Sequence, residues 1–469
     1  MIPRSVAALV ALLLCSAPIG AFAQALAPRP SVLVVGGTPA GVAAAVAAAR
    51  RGEDVTLVAR RNVLGGVLTD AMMDQWDLNL SASGASVEGG IFREIYAALG
   101  DSFTPDDAAR VFGALVAAEP RIRVVTGAQP TAVDVTAGSD GLRRIAGVTF
   151  TGVGNRRTFD VTAPLVVDAT DDGDVAALAG ARYDLGRQDT GTDDRMQAVT
   201  LMFTLTGVDW PVVARTYRAA AYGPGGAIDR RAWGYARRMA AYRPLAPEVV
   251  VRDLTFGHED GGAVTVNAID VLGIDGREPA DLGRARAIAE RETPHLIAFL
   301  RVTLPGFADA ELGRYADSIY VRETRHFAGV ERLTADDVWD GKIPSDTIGL
   351  SSYPLDLHPV TPDDRPAFAP VRHVYGVPFG TLVPRDFDNL ILASPAISAS
   401  HLASGSARVI PTTIEEGEAA GAAAALAASR HLTFAAIAGS TEAIAALRDD
   451  LRDHGAIFAT GRADVALRR

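Results

Sequence analysis

Residues 31–66, SVLVVGGTPAGVAAAVAAARRGEDVTLVARRNVLGG, read as strand, glycine turn, helix, strand and a second glycine pair, and this order constrains the chain more than any other stretch. Residues 31–35 form a short unbroken β-rich run, the pattern of a strand buried on both faces of a parallel sheet. Gly36 and Gly37 turn the chain sharply. Thr38 followed by Pro39 fits a helix N-cap with proline in the first turn, residues 40–51 are strong helix formers, and Gly52 offers a stop. The open N–H groups and positive end of that helix would face a pyrophosphate. Gly41 permits close contact between helix and strand, the alanines beyond it keep that face slim, and residues 55–58 supply the next parallel strand. Such a unit binds a dinucleotide.

Two departures mark this copy of the motif. The middle glycine of G-x-G-x-x-G is Thr38, and the acid expected roughly 20 positions on to hold a ribose hydroxyl is Ala59, followed by Arg60 and Arg61. An absent acid beside arginines can signal a 2′-phosphate, so NADP(H) enters as an alternative. The bland reading is an alanine-rich strand–helix unit of some other α/β protein.

A chain of 469 residues exceeds what one compact core holds, which points to one large intertwined domain or two domains. The formal charge of −11, from 56 acidic against 45 basic residues with no Lys/Arg-rich run, argues against a nucleic-acid partner. Residues 1–23 carry Arg4, an apolar stretch over 6–14, a Pro18-Ile19-Gly20 break and Ala21-Phe22-Ala23 before Gln24. That order is a secretory signal peptide cleaved after Ala23, and it implies a periplasmic or secreted protein. Cys15 lies within it and is the only cysteine, so the mature chain would have no disulfide, thiolate metal site or redox dithiol. Redox chemistry would then need a bound cofactor. No later segment is long and apolar enough for stable membrane insertion.

Short β-rich runs between residues 122 and 167 read as a small β-meander that returns to the main sheet. Residues 183–385 differ in texture, being richer in Arg, Trp, Tyr, Pro and His and less regular in period, and read as an inserted substrate domain. A first cofactor-binding part would span 24–182 and its C-terminal return 386–469, where NLILA at 389–393 precedes a long alanine-rich helix from Thr412 to about Ala428.

Five blocks in order, VVGGTPAGVAAAVAA (34–48), LGGVLT (64–69), VVDATDDGDVAALAGA (166–181), VRETRHFAGVERLTADDV (321–338) with YPLDLH (353–358), and the 389–427 segment, cover nearly the whole mature chain. Together they resemble the FAD-dependent oxidoreductases of the FAD_oxidored family, relatives of the fumarate-reductase and glutathione-reductase-like flavoproteins. The resemblance implies an α/β, Rossmann-like FAD-binding domain, a parallel sheet plus β-meander, with an inserted α+β substrate domain. It implies FAD as cofactor, held first by Gly36, Gly37, Thr38, Pro39, Ala40 and Gly41, with Arg60 nearby. Gly65 and Gly66 would bring backbone against it, and Ala169, Thr170 and Asp171 would close the adenine side. Beneath the flavin ring would lie Ser394, Arg408, Pro411 and Thr412.

Hydride transfer needs a base for the departing proton, for which His401 and His358 are the candidates in the matched blocks. Arg322, Arg325 and Arg408 would orient an oxygen-rich substrate or an anionic intermediate, while Glu323 is expected to pair with an arginine. The tryptophans read as core or cleft lining. Three positions depart from the family: Ala59 lacks the ribose clamp, Asp171 replaces a glycine of A-T-G-D-G-D, and Ser394-Pro395 replaces Gly-Arg. The expectation is an exported FAD-dependent dehydrogenase or oxidase acting on a small polar organic molecule, with an unidentified electron acceptor. The alternatives are a reductase of an activated double bond and a binding protein that has lost turnover.

Overall fold

A computed structural model describes residues 30–219, 222–364 and 367–459, so the expected signal segment at 1–23 lies outside the described residues. In chain order the first strands are β1 (Val32–Val35), β2 (Val55–Ala59), β3 (Ile122–Thr126), β4 (Ala128–Ala137), β5 (Arg143–Gly152), β6 (Thr158–Val161) and β7 (Leu165–Asp168). A parallel sheet runs in the order Leu390–Leu392, β7, β1, β2, β3. Every residue of β1, β2 and β7 is buried, which is why their sequences are continuous apolar runs. The run at 122–126 is an edge strand of this sheet, and the antiparallel meander is confined to β4, β5 and β6.

The helix α1 (Pro39–Arg50) starts where Thr38 Oγ1 accepts a hydrogen bond from the Gly41 N–H at 3.0 Å. The same hydroxyl donates to the Ala169 carbonyl at 2.9 Å, tying the helix start to the end of β7. Gly36 is forced by this junction: at φ +123° a Cβ would collide with the Ala169 carbonyl. The helix Ile410–Arg430 packs along α1, with Gly417 and Gly421 against the backbone carbonyls of Ala40 and Ala44. Glu415 and Glu418 of that helix accept hydrogen bonds from the Gly89 and Ile91 N–H groups, and so place carboxylates at the N-terminus of the helix Gly90–Leu99.

The stretch with little sequence periodicity builds a six-stranded antiparallel sheet, ordered Gly225–Ala227, Arg231–Gly234, Leu254–His258, Val264–Asn267, Phe203–Thr206, Glu311–Tyr315. The helix Pro279–Thr303 has Pro294 inside it. A proline there cannot donate to the Glu290 carbonyl, and the Tyr315 hydroxyl donates to that oxygen at 3.3 Å instead. Trp76 and Trp210 are buried, whereas Trp233 and Trp339 are exposed and depart from the core or cleft reading. Among the described residues no helix is long and apolar enough to cross a membrane.

Candidate active site

A cleft of about 710 Å³ opens at the C-terminal ends of β1, β2 and β7, the edge at which parallel α/β sheets bind ligands. Its inner wall is the chain 36–40: Gly36, Gly37, Thr38, Pro39 and Ala40 all line it. Gly66 lines it too, and the Gly65 N–H donates to the Gly37 carbonyl at 2.8 Å, fastening the second glycine pair to the first. Gly41 stands one layer behind, where a Cβ would strike the Gly36 carbonyl. Backbone thus replaces side chains along this wall, and the positive end of α1 faces it, a combination suited to a diphosphate.

At one end the cleft is bounded by Ala59, Arg60, Arg61 and Gln129. Arg61 lies 3.3 Å from Asp70, and Arg60 is exposed. Thr170 and Asp171 also line the cleft, while Ala169 lies buried beneath them. The enclosing cleft walls, then repulsion from Asp172, Asp174 and Asp70, push the carboxyl of Asp171 upward, although its side chain still reaches solvent. Asp172 accepts from the Thr324 hydroxyl at 2.6 Å, and burial lifts it to about 6. At the other end are Ser394, Arg408 and Tyr320. Pro411 and Thr412 are buried behind this end, and the Thr412 hydroxyl oxygen accepts from the Asn79 amide at 3.0 Å.

Arg322, Arg325 and Arg408 line the cleft, each donating through Nη to protein acceptors while its buried Nε is left unpaired. Arg322 Nη1 donates to the Ala198 carbonyl and the Thr200 hydroxyl, both at 2.9 Å, and lies 3.4 Å from Asp270. Arg325 Nη1 donates to the Asp172 carbonyl at 2.8 Å and to Asp174 at 3.0 Å. Arg408 donates through Nη1 to the Tyr320 hydroxyl and through Nη2 to the Asp356 carbonyl, each at 3.0 Å.

The two candidate histidines stand outside the cleft lining and differ from each other. His358 Nδ1 lies 2.7 Å from Asp270 and its Nε2 lies 3.4 Å from Asp356, so carboxylates face both ring nitrogens. Burial alone would raise Asp270, but His358 and Arg322 outweigh it and hold the carboxyl down to about 2. His401 Nδ1 lies 2.7 Å from Glu323 Oε1, and among the described residues no hydrogen bond reaches its Nε2. Glu323 lines the cleft in front of it. Its partners are His401 and His326, the latter at 2.8 Å, in place of the expected arginine. Both histidines bond to it, which outweighs burial and holds its carboxyl down to about 2.

Sequence reading passed over Tyr320, which lines the cleft with Arg408 on its hydroxyl and the Arg322 guanidinium 4.7 Å from its ring centre. It also passed over His326 and the carboxylates Asp270 and Asp356. The only available signal was the crowding of charged and aromatic residues over 320–326, YVRETRH, which periodicity could not assign to faces.

The family model for FAD dependent oxidoreductases matches residues 31–451. No curated protein matches the sequence. Among solved structures, a geranylgeranyl bacteriochlorophyll reductase-like protein from Thermoplasma acidophilum is 14% identical, over 91% of this chain and 83% of that one, with a TM-score of 0.44. The flavin-dependent brominase Bmp2 is 11% identical, over 90% of this chain and 83% of that one, with a TM-score of 0.46. The p-nitrophenol 4-monooxygenase PnpA from Pseudomonas putida DLL-E4 is 13% identical, over 65% of this chain and 70% of that one, with a TM-score of 0.36.

Proposed function

Because the chain belongs to the FAD dependent oxidoreductase family, we propose that it is an exported dehydrogenase or oxidase that moves a hydride between a small polar organic substrate and FAD. Bound FAD would supply the two-electron acceptor. The residues present fit it: the 36–40 wall is a cradle that a Cβ at Gly36 would destroy, and Gly66 keeps the opposite wall to backbone thickness. In this reading the N-terminus of α1 holds the diphosphate, with Arg60 and Gln129 at the ribose end, where Ala59 stands in place of an acid at the end of β2. Ser394 and the start of the 410–430 helix support the opposite end.

His401 is the preferred proton acceptor. One of its nitrogens is held by a carboxylate and the other has no hydrogen bond among the described residues, whereas His358 has a carboxylate at each nitrogen. Arg408 and Arg322 act on the substrate through Tyr320, whose hydroxyl proton is left to donate to a substrate oxygen while its oxygen accepts from Arg408. The observation that carries the reading is one cleft with a glycine-backbone cradle along one part and Tyr320 and Glu323 along another.

The test is the visible absorption spectrum of the purified protein, with the chromophore identified after denaturation. Released FAD is the expected result and opens a substrate screen by flavin bleaching. A colourless protein that also fails to take up added FAD overturns the proposal. For export, the recovered protein is expected to begin at Gln24, and an intact Met1 rules it out.

A further inference from the structure

The carboxylate of Glu323 is the common partner of two imidazoles. Its Oε1 lies 2.7 Å from His401 Nδ1 and 2.8 Å from His326 Nε2, while Oε2 accepts the Gln197 N–H at 3.0 Å. Both oxygens are therefore filled by donors, and the side chain is sealed from water at 4% exposure. An ionised carboxylate has no hydrogen to give. Each ring nitrogen that meets Oε1 must then carry a proton, so the neutral form of each ring is Nδ1–H in His401 and Nε2–H in His326. In His326 the unpartnered buried Nδ1 is then a lone pair and not an N–H, the less costly of the two to leave unpaired. The backbone of His401 is fixed as well, because its N–H donates to Asp189 at 3.1 Å and Ser400 caps the short helix it begins.

We infer that Glu323 is a positioning residue: it holds His401 in the tautomer whose Nε2 is the free basic nitrogen, and His326 holds Glu323 in place from the other side. The inference rests on the reading of His401 as proton acceptor. The hydrogen bonds from the two histidines that keep Glu323 ionised are the same ones that fix the rings, so the carboxylate cannot take the proton itself without releasing His401. Removing His326 would leave Oε1 with a single donor. In Glu323→Gln the Gln197 N–H still needs an acceptor, which keeps the amide oxygen on that side and turns the NH₂ to the histidines, so the imidazoles must accept.

The experiment is long-range ¹H–¹⁵N correlation spectroscopy of the full, FAD-loaded protein labelled at histidine, with His401→Gln and His326→Gln spectra assigning the two rings. The expected wild-type result is Nδ1–H with unprotonated Nε2 in His401, and the opposite tautomer in His326. In Glu323→Gln, the His401 signals are expected to move toward the Nε2–H form. A wild-type His401 that carries its proton on Nε2, or on both nitrogens, overturns the inference. So does a Glu323→Gln spectrum with His401 unchanged. Should that variant not fold, the wild-type spectrum alone decides. The base assignment itself is judged separately, by turnover of His401→Gln, so that either idea can fail without the other.

Discussion

Gly417 lies against the carbonyl oxygen of Ala40, closer than any side chain could stand, and one turn later Gly421 meets the carbonyl of Ala44 in the same way. These contacts set the spacing between α1 and the 410–430 helix, and with it the position of the α1 N-terminus at the cleft. Gly417→Ala must push the helices apart and is expected to cost about 1–3 kcal/mol. Gly113→Ala, in the helix Pro105–Ala117 with nothing within 4 Å of the new methyl, should instead gain roughly 0.5–1 kcal/mol. Urea unfolding of both variants checks this, and equal midpoints would contradict the packing argument.

Ala59 ends β2 at the cleft, on the site where the family's dinucleotide fold places an acid for the ribose. A charge-assisted hydrogen bond regained there is worth about 1.5–3 kcal/mol, or ten- to hundredfold in affinity. Ala59→Glu should therefore tighten FAD by that factor, read from flavin fluorescence during reconstitution of the stripped protein. Unchanged affinity would mean that Arg60 and Gln129 already make up the loss.

Two buried carboxyls pull stability in opposite directions with pH. Burial, with Glu259 nearby, pushes Asp74 up to about 7. Its native form keeps a proton that the unfolded chain gives up near 3.8, so this group costs stability progressively as pH rises from about 4 through 7. Asp74→Asn should stabilise the protein at about pH 8 and change little at about pH 4. Glu323, held down to about 2 from 4.5, does the reverse: its contribution is full above about 4.5 and disappears as pH falls toward 2. Glu323→Gln should then lose stability at neutral pH and flatten the acid limb. Urea midpoints across this range test both, and parallel pH curves for variants and wild type would refute the assignments.

The nucleotide-binding half was legible because its signals are local. The Thr38 cap, the slim alanine face of α1 and the apolar runs of β1, β2 and β7 each declare themselves within a few residues. The helix Pro279–Thr303 was not legible, since Pro294 breaks the pattern and its freed carbonyl is repaired by Tyr315, a residue distant in sequence. At the site, sequence brought Glu323 and His401 into view separately but could not join residues 78 positions apart, nor place Arg408 on Tyr320 across 88. Ion pairing is a property of the assembled fold, and periodicity carries no trace of it.

Tyr320→Phe removes the hydroxyl on which Arg408 Nη1 is spent and leaves a buried guanidinium donor without its partner. Loss of one such hydrogen bond corresponds to a ten- to hundredfold fall in rate. With any substrate that bleaches the wild-type flavin, bleaching by this variant should slow by that factor at unchanged FAD content. A full rate would place substrate contact elsewhere.

The histidines are separated by what each nitrogen already does. His401→Gln takes away a ring whose Nε2 meets no hydrogen-bond partner among the described residues, and general-base loss lowers turnover by about 10²–10⁴. His358→Gln takes away the partner of two carboxylates, Asp270 and Asp356, both held below the ordinary carboxyl range by it and by nearby arginines. Without the ring between them, two buried carboxylates lose their shared partner and face each other, so the effect falls on stability, at about 3–5 kcal/mol for a buried pair broken on one side. Both variants lose a partner of a buried carboxylate and are expected to melt lower, so the contrast is read on the folded, FAD-loaded fraction: a kcat defect there for His401→Gln, against kcat retained for His358→Gln. If the two defects are exchanged, the base is His358, and one of its carboxylates must release a nitrogen when substrate binds.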